Sequence, residues 1–66
     1  MVIEAKLNSS AIRAIRYTEE SQILSVTFQS GGTYDYPAVP RDKVTGLLSA
    51  ESAGKYFHKE IKQYAV

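Results

Sequence analysis

Six residues near the middle of the chain restrict its fold more than any others. Leu24, Val26 and Phe28 alternate with Ser25, Thr27 and Gln29, and successive side chains of a β-strand point to opposite faces. The alternation predicts a half-buried strand with Leu24, Val26 and Phe28 turned toward a core. Upstream lies a second apolar run, Ala11-Ile-Arg-Ala-Ile-Arg-Tyr17, separated from the first by Thr18, Glu19, Glu20 and Ser21, a polar cluster suited to a hairpin connection. Its periodicity is mixed. Ile12 and Ile15 are three apart, as on a helix, whereas Arg13, Ile15 and Tyr17 would share one face of a regular strand. The run is assigned to a strand, with a bulge as an option.

Downstream, Ser30, Gly31 and Gly32 form a turn, since glycine reaches positive φ without a Cβ clash. Thr33 to Tyr36 reads as a third short strand with Tyr34 and Tyr36 on one face, ended by Pro37, which lacks a backbone donor. After Pro40 the period changes. Val44, Leu47 and Leu48 fall on one side of a short helix that Gly46 weakens. Ser52 is placed to cap a second helix, whose apolar side carries Ala53, Tyr56, Phe57, Ile61 and Tyr64. Gly54 near its start permits close approach to another backbone. The expected fold is α+β: a small antiparallel sheet of about three strands followed by one or two short C-terminal helices.

A chain of 66 residues has room for one core, so residues 1–66 are read as one domain. With no cysteine, neither a disulfide nor a thiolate metal site can staple it. Tight packing, for which five tyrosines and two phenylalanines supply area, or self-association must serve instead. The first ten residues lack the basic and apolar regions of a signal peptide, and no apolar run is long enough to span a membrane. A cytoplasmic location without membrane contact is the expectation. Eight Lys and Arg stand against seven Asp and Glu, for a net charge of +1. Attraction to nucleic acid would therefore have to come from local clustering.

The succession SSAIRAIRY, LSVTF, GGTYDYPAVP and SAESAGKYFHKEI resembles the KTSC domain, a family named for its occurrence at the C-terminus of some lysyl-tRNA synthetases and also found as stand-alone short proteins. The resemblance spans nearly the whole chain. Its most specific parts are Tyr34-x-Tyr36, the Val39-Pro40 step, and Ser52-x-Gly54 followed by Phe57 and Ile61. Two positions depart from the pattern: His58, where asparagine is expected, and Pro37 directly after the tyrosine pair. What the resemblance implies is chiefly the fold, with RNA binding suggested by attachment to a synthetase.

The residues offer little to catalysis. A nucleophile needs a neighbouring base oriented by a third group, and the chain has one histidine, His58, and no cysteine. Ser9, Ser10 and Ser52 read as turn or cap residues. His58 with Glu60, Asp42 or Glu51 forms no known metal spacing, and Gly31-Gly32 precedes no helix that could cradle a phosphate. No enzyme activity, cofactor or metal is expected.

Binding is better supported. RNA-binding modules stack bases on exposed aromatic rings and hold phosphates with Arg and Lys. Tyr34 and Tyr36, with Arg13 and Arg16 in the neighbouring hairpin, match that scheme in residue type; core packing of both tyrosines is the competing reading, favoured by the demand for buried area. The other candidate surface is the polar side of the second helix, with Lys55, His58, Lys59 and Lys62, which also reads as an ordinary solvated helix face. The function expected is a small non-enzymatic module binding RNA or tRNA. Two alternatives stand beside it: a homo-oligomeric phage or mobile-element protein sequestering a nucleotide signal between subunits, and a protein-interaction module using an exposed strand edge or the apolar helix face.

Overall fold

The computed structural model describes residues 1–64. Four strands, β1 (Val2–Lys6), β2 (Ile12–Thr18), β3 (Ile23–Phe28) and β4 (Thr33–Tyr36), form one antiparallel sheet in the order β1-β2-β3-β4. Helix α1 (Arg41–Ser49) and a C-terminal helix follow. The latter begins as α2 (Ala53–Tyr56), widens into a π turn over Phe57–Ile61 and tightens into a 3₁₀ turn over Lys62–Tyr64. The α+β class holds, with four strands instead of about three. The additional strand is β1, in which Ile3 and Ala5 pair with Tyr17 and Ile15.

Cross-strand partners share a face, so the register fixes the two sides of the sheet. Ile15, Tyr17, Leu24, Val26, Tyr34 and Tyr36 lie on the face that carries the helices. On that face Leu24 and Val26 meet Val39, Val44, Leu47, Phe57 and Ile61 in the core. The ambiguity in β2 is resolved by a bulge. Ile12 pairs with Phe28 and Ala14 with Thr27, leaving Arg13 as the extra residue. A bulged residue puts two side chains opposite one, so Arg13 joins Ala14 on the open face while Ile12 and Ile15, three apart, are both buried. Arg13 thus does not share a face with Ile15 and Tyr17.

The turn after β4 places Pro37 ahead of Ala38, whose φ of 58° lies in the left-handed region; proline followed by a positive φ is the pattern of a type II turn. The Tyr17 hydroxyl donates to the Val39 carbonyl at 2.7 Å in the interior, tying this loop to the sheet. Burial raises the pKa of Tyr17 above its ordinary value. Replacing Tyr17 with phenylalanine strands that carbonyl without a partner and should cost about 1–3 kcal/mol in urea unfolding at neutral pH. The native contribution is full below pH ~10, where the unfolded tyrosine begins to ionise, and is lost as pH climbs through the higher folded value. The stability gap between wild type and Tyr17→Phe should accordingly narrow in alkali.

Gly46, which costs α1 propensity, has a packing role. A Cβ built there would stand 2.7 Å from Cζ of Tyr56 and 3.1 Å from its Cε2. Tyr56 thus crosses α1 directly over the glycine. Overpacking of this kind costs about 1–3 kcal/mol, more than the ~1 kcal/mol of helix propensity alanine would add. Gly46→Ala should therefore destabilise the wild type but stabilise a Tyr56→Ala background, a reversal of sign measurable by urea unfolding of the four proteins. Leu48, expected beside Val44 and Leu47, is 40% exposed. Only Val44 and Leu47 of that trio reach the sheet.

Ser52 caps the C-terminal helix by accepting from the Lys55 amide at 3.5 Å. Gly54 packs against Ala11, where a Cβ would come within 3.3 Å of the alanine Cβ, so its close neighbour is a small side chain. Lys43 donates to Glu60 Oε1 at 2.6 Å and joins α1 to the π turn. This hydrogen bond raises the Lys43 pKa and lowers that of Glu60.

Candidate functional site

The tyrosine pair is divided by the structure. Tyr36 is 8% exposed and meets the Phe57 ring edge to face at 5.2 Å, so it belongs to the core. Burial, and to a lesser degree the neighbouring Tyr34, raises its pKa. Tyr34 is 59% exposed although it lies on the same face of the sheet. Its ring leans against Phe28 at 5.7 Å and back over the turn, where a Cβ on Gly32 would be 3.1 Å from ring atom Cε2. Gly32 makes room for the ring. One side of Tyr34 is supported by protein and the rest faces solvent.

From Tyr34 the rings continue inward. Phe28 meets Phe57 edge to face at 5.4 Å, and Phe57 lies 5.7 Å from the imidazole of His58. This seam joins the turn end of β4 to the π turn of the C-terminal helix. The same end of the molecule is closed by Gly54 against Ala11, whose carbonyl accepts from the Gln29 amide at 3.0 Å. The π turn leaves His58 and Lys59 exposed while Phe57 and Ile61 are buried. Lys55 and Lys62 are exposed as well.

Arg13 and Arg16 are not part of this arrangement. Both belong to the open face, opposite the tyrosines, and Arg16 Nε contacts Glu4 Oε1 at 3.3 Å. The expected cluster of two tyrosines flanked by two arginines is therefore not assembled; the exposed basic groups on the C-terminal helix are Lys55, His58, Lys59 and Lys62. Phe28 was assigned by alternation to the core, and its half-buried ring is the bridge between Tyr34 and Phe57. That link joins residues 29 positions apart in the chain, and no local pattern reveals it. Among the described residues, no group of three or more His, Asp or Glu side chains stands close enough to hold a metal. No helix among the described residues is long and apolar enough to cross a membrane.

The KTSC domain family profile matches residues 8–64. The chain belongs to the KTSC family. A crystal structure of a KTSC domain protein from Yersinia pestis superposes with a TM-score of 0.87 at 32% identity, covering 94% of this chain and 87% of that one. An uncharacterized protein of Stutzerimonas stutzeri is 46% identical over 56 residues, 85% of this chain and 79% of its own length. A lysine–tRNA ligase of a Nostoc species is 44% identical over 57 residues, which is 86% of this chain and 10% of the ligase. The KTSC domain thus occurs both in short proteins and as a small part of a much longer one. Two elements named above, Tyr34 with its supporting turn and the Gly54–His58 segment, lie within the matched span.

Proposed function

We propose that this KTSC domain is a small, non-catalytic RNA-binding module that stacks an unpaired base on Tyr34 and holds the adjoining phosphates with Lys55, Lys59 and Lys62. The observation that carries the reading is the Tyr34 ring, exposed yet braced on Phe28. A ring fixed on one side and open on the other loses little freedom when a base covers it, and base–aromatic stacking is worth about 1–3 kcal/mol. His58, exposed at the far end of the aromatic seam, offers a further polar group next to Lys59. The similarity to segments of proteins named lysine–tRNA ligases supports tRNA as one candidate partner.

Titration of labelled tRNA and of a single-stranded oligoribonucleotide at two salt concentrations tests this. Three lysine–phosphate contacts give a log–log salt slope of about −2 for a single strand. Absence of saturable binding even at low salt would contradict the proposal. A nucleotide retained between subunits in native mass spectrometry would replace it by sequestration of a nucleotide.

A further inference from the structure

The face of the sheet away from the helices is open, and the register places its side chains in rows. One row reads Lys6, Ala14, Thr27, Thr33; the next reads Glu4, Arg16, Ser25, Asp35. Ala14 is the smallest side chain among them and sits between longer neighbours. A depression of about 580 Å³ results, lined by Glu4, Lys6, Ala14, Arg16, Thr27 and Thr33 together with Ser25 and strand backbone. The bulge adds Arg13 beside Ala14 on this face.

Hydrogen-bond donors enter the depression from both walls. On the β1–β2 side are the Lys6 ammonium and the outer nitrogens of Arg16, whose Nε is turned to Glu4. On the β3–β4 side the Thr27 and Thr33 hydroxyls lie 3.0 Å apart; one donates to the other, which leaves one hydroxyl hydrogen to spare. Ser25 donates to Asp35 Oδ1 at 2.5 Å, which directs that hydroxyl hydrogen away from the depression; Asp35 keeps its negative charge but does not line the depression. Two cations, Lys6 and Arg16, therefore face one carboxylate in the lining, Glu4, which is paired with Arg16; on the rim of the same face Arg13 stands beside Ala14 and Asp35 beside Ser25. No carboxylate among the described residues lies within ion-pair distance of Lys6 or Arg13.

We propose that this open face is a phosphate-binding site centred over Ala14. A tetrahedral anion presents oxygens out of a single plane and so meets both walls and the floor at once, whereas the two oxygens of a carboxylate lie in one plane. Charge-assisted hydrogen bonds from Arg16 and Lys6 supply the attraction. The site is on the opposite face from Tyr34 and does not depend on the RNA-binding reading.

The test is an amide chemical-shift titration with sodium phosphate against sodium chloride of equal ionic strength. Saturable shifts at Lys6, Ala14, Arg16, Thr27 and Thr33 are expected with phosphate alone. Arg16→Met should weaken binding about tenfold or more, the worth of one hydrogen bond to a charged group, and Ala14→Leu, which fills the depression, should weaken it by exclusion, whereas Tyr34→Ala should leave it unchanged. Parallel titrations with a mononucleotide and an oligoribonucleotide separate the sources: saturation by phosphate and mononucleotide but not by the oligonucleotide marks a phosphomonoester or free anion as the ligand, and saturation by all three marks a site that also takes the diester backbone. Equal shifts with chloride, shifts confined to the helical lysines, or undiminished binding by folded Ala14→Leu would overturn the proposal.

Discussion

Replacing Phe57 with alanine should leave the domain largely unfolded at room temperature. The Phe57 ring is 3% exposed and receives both Phe28 and Tyr36 edge to face. Removing a buried phenylalanine ordinarily costs about 3–5 kcal/mol through lost transfer energy and the cavity left behind. Two aromatic contacts disappear with it, each worth about 0.5–1.5 kcal/mol beyond area burial and partly counted in that range. A chain of this length is expected to hold only about 3–10 kcal/mol in total, so one substitution consumes most of it. Circular dichroism and a urea titration check the outcome. Phe57→Leu, which keeps much of the volume, should remain folded with a lower midpoint.

Tyr34→Ala should have the opposite profile, retaining the fold and losing RNA affinity by about 5- to 150-fold, equivalent to the ~1–3 kcal/mol of one stacked base. More than half of this side chain is exposed, and the neighbouring Tyr36 remains to cover the core. Tyr34→Phe preserves the ring and should retain most of the affinity. Lys59→Gln should reduce the salt slope by about 0.7. A deficit in Tyr34→Ala that Tyr34→Phe shares would assign the effect to the hydroxyl and count against stacking. Binding is read by fluorescence anisotropy of a labelled oligoribonucleotide, with urea midpoints measured on the same preparations.

Strands β3 and β4, the turn between them and the two helical segments are legible because their determinants are local: alternation at Leu24–Gln29, glycines at 31 and 32, a serine cap at 52. Four features escape such reading for physical reasons. In β1, Val2 is apolar but faces outward, which blurs the alternation of Ile3 and Ala5. In β2, the bulge at Arg13 changes the period within the strand, so Ile12 and Ile15 imitate helical spacing. Tyr34 and Tyr36 have the same parity yet differ in burial, because the C-terminal helix covers Tyr36 and stops short of Tyr34; parity assigns a face, whereas burial depends on what packs over that face. The value of Gly46 was equally hidden. Propensity marks it as a weak point in α1, and only the crossing of Tyr56 shows what a side chain there would displace.

The central claim is that Tyr34 is an exposed stacking platform, and the absence of tryptophan from the chain gives a direct way to examine it. Tyr34→Trp places a single indole at that position, on the same Phe28 support. The account predicts solvent-exposed emission in the free protein and saturable quenching on addition of a single-stranded oligoribonucleotide. Emission typical of a buried indole before any RNA is added, or an unchanged spectrum at saturating RNA and low salt, would contradict it.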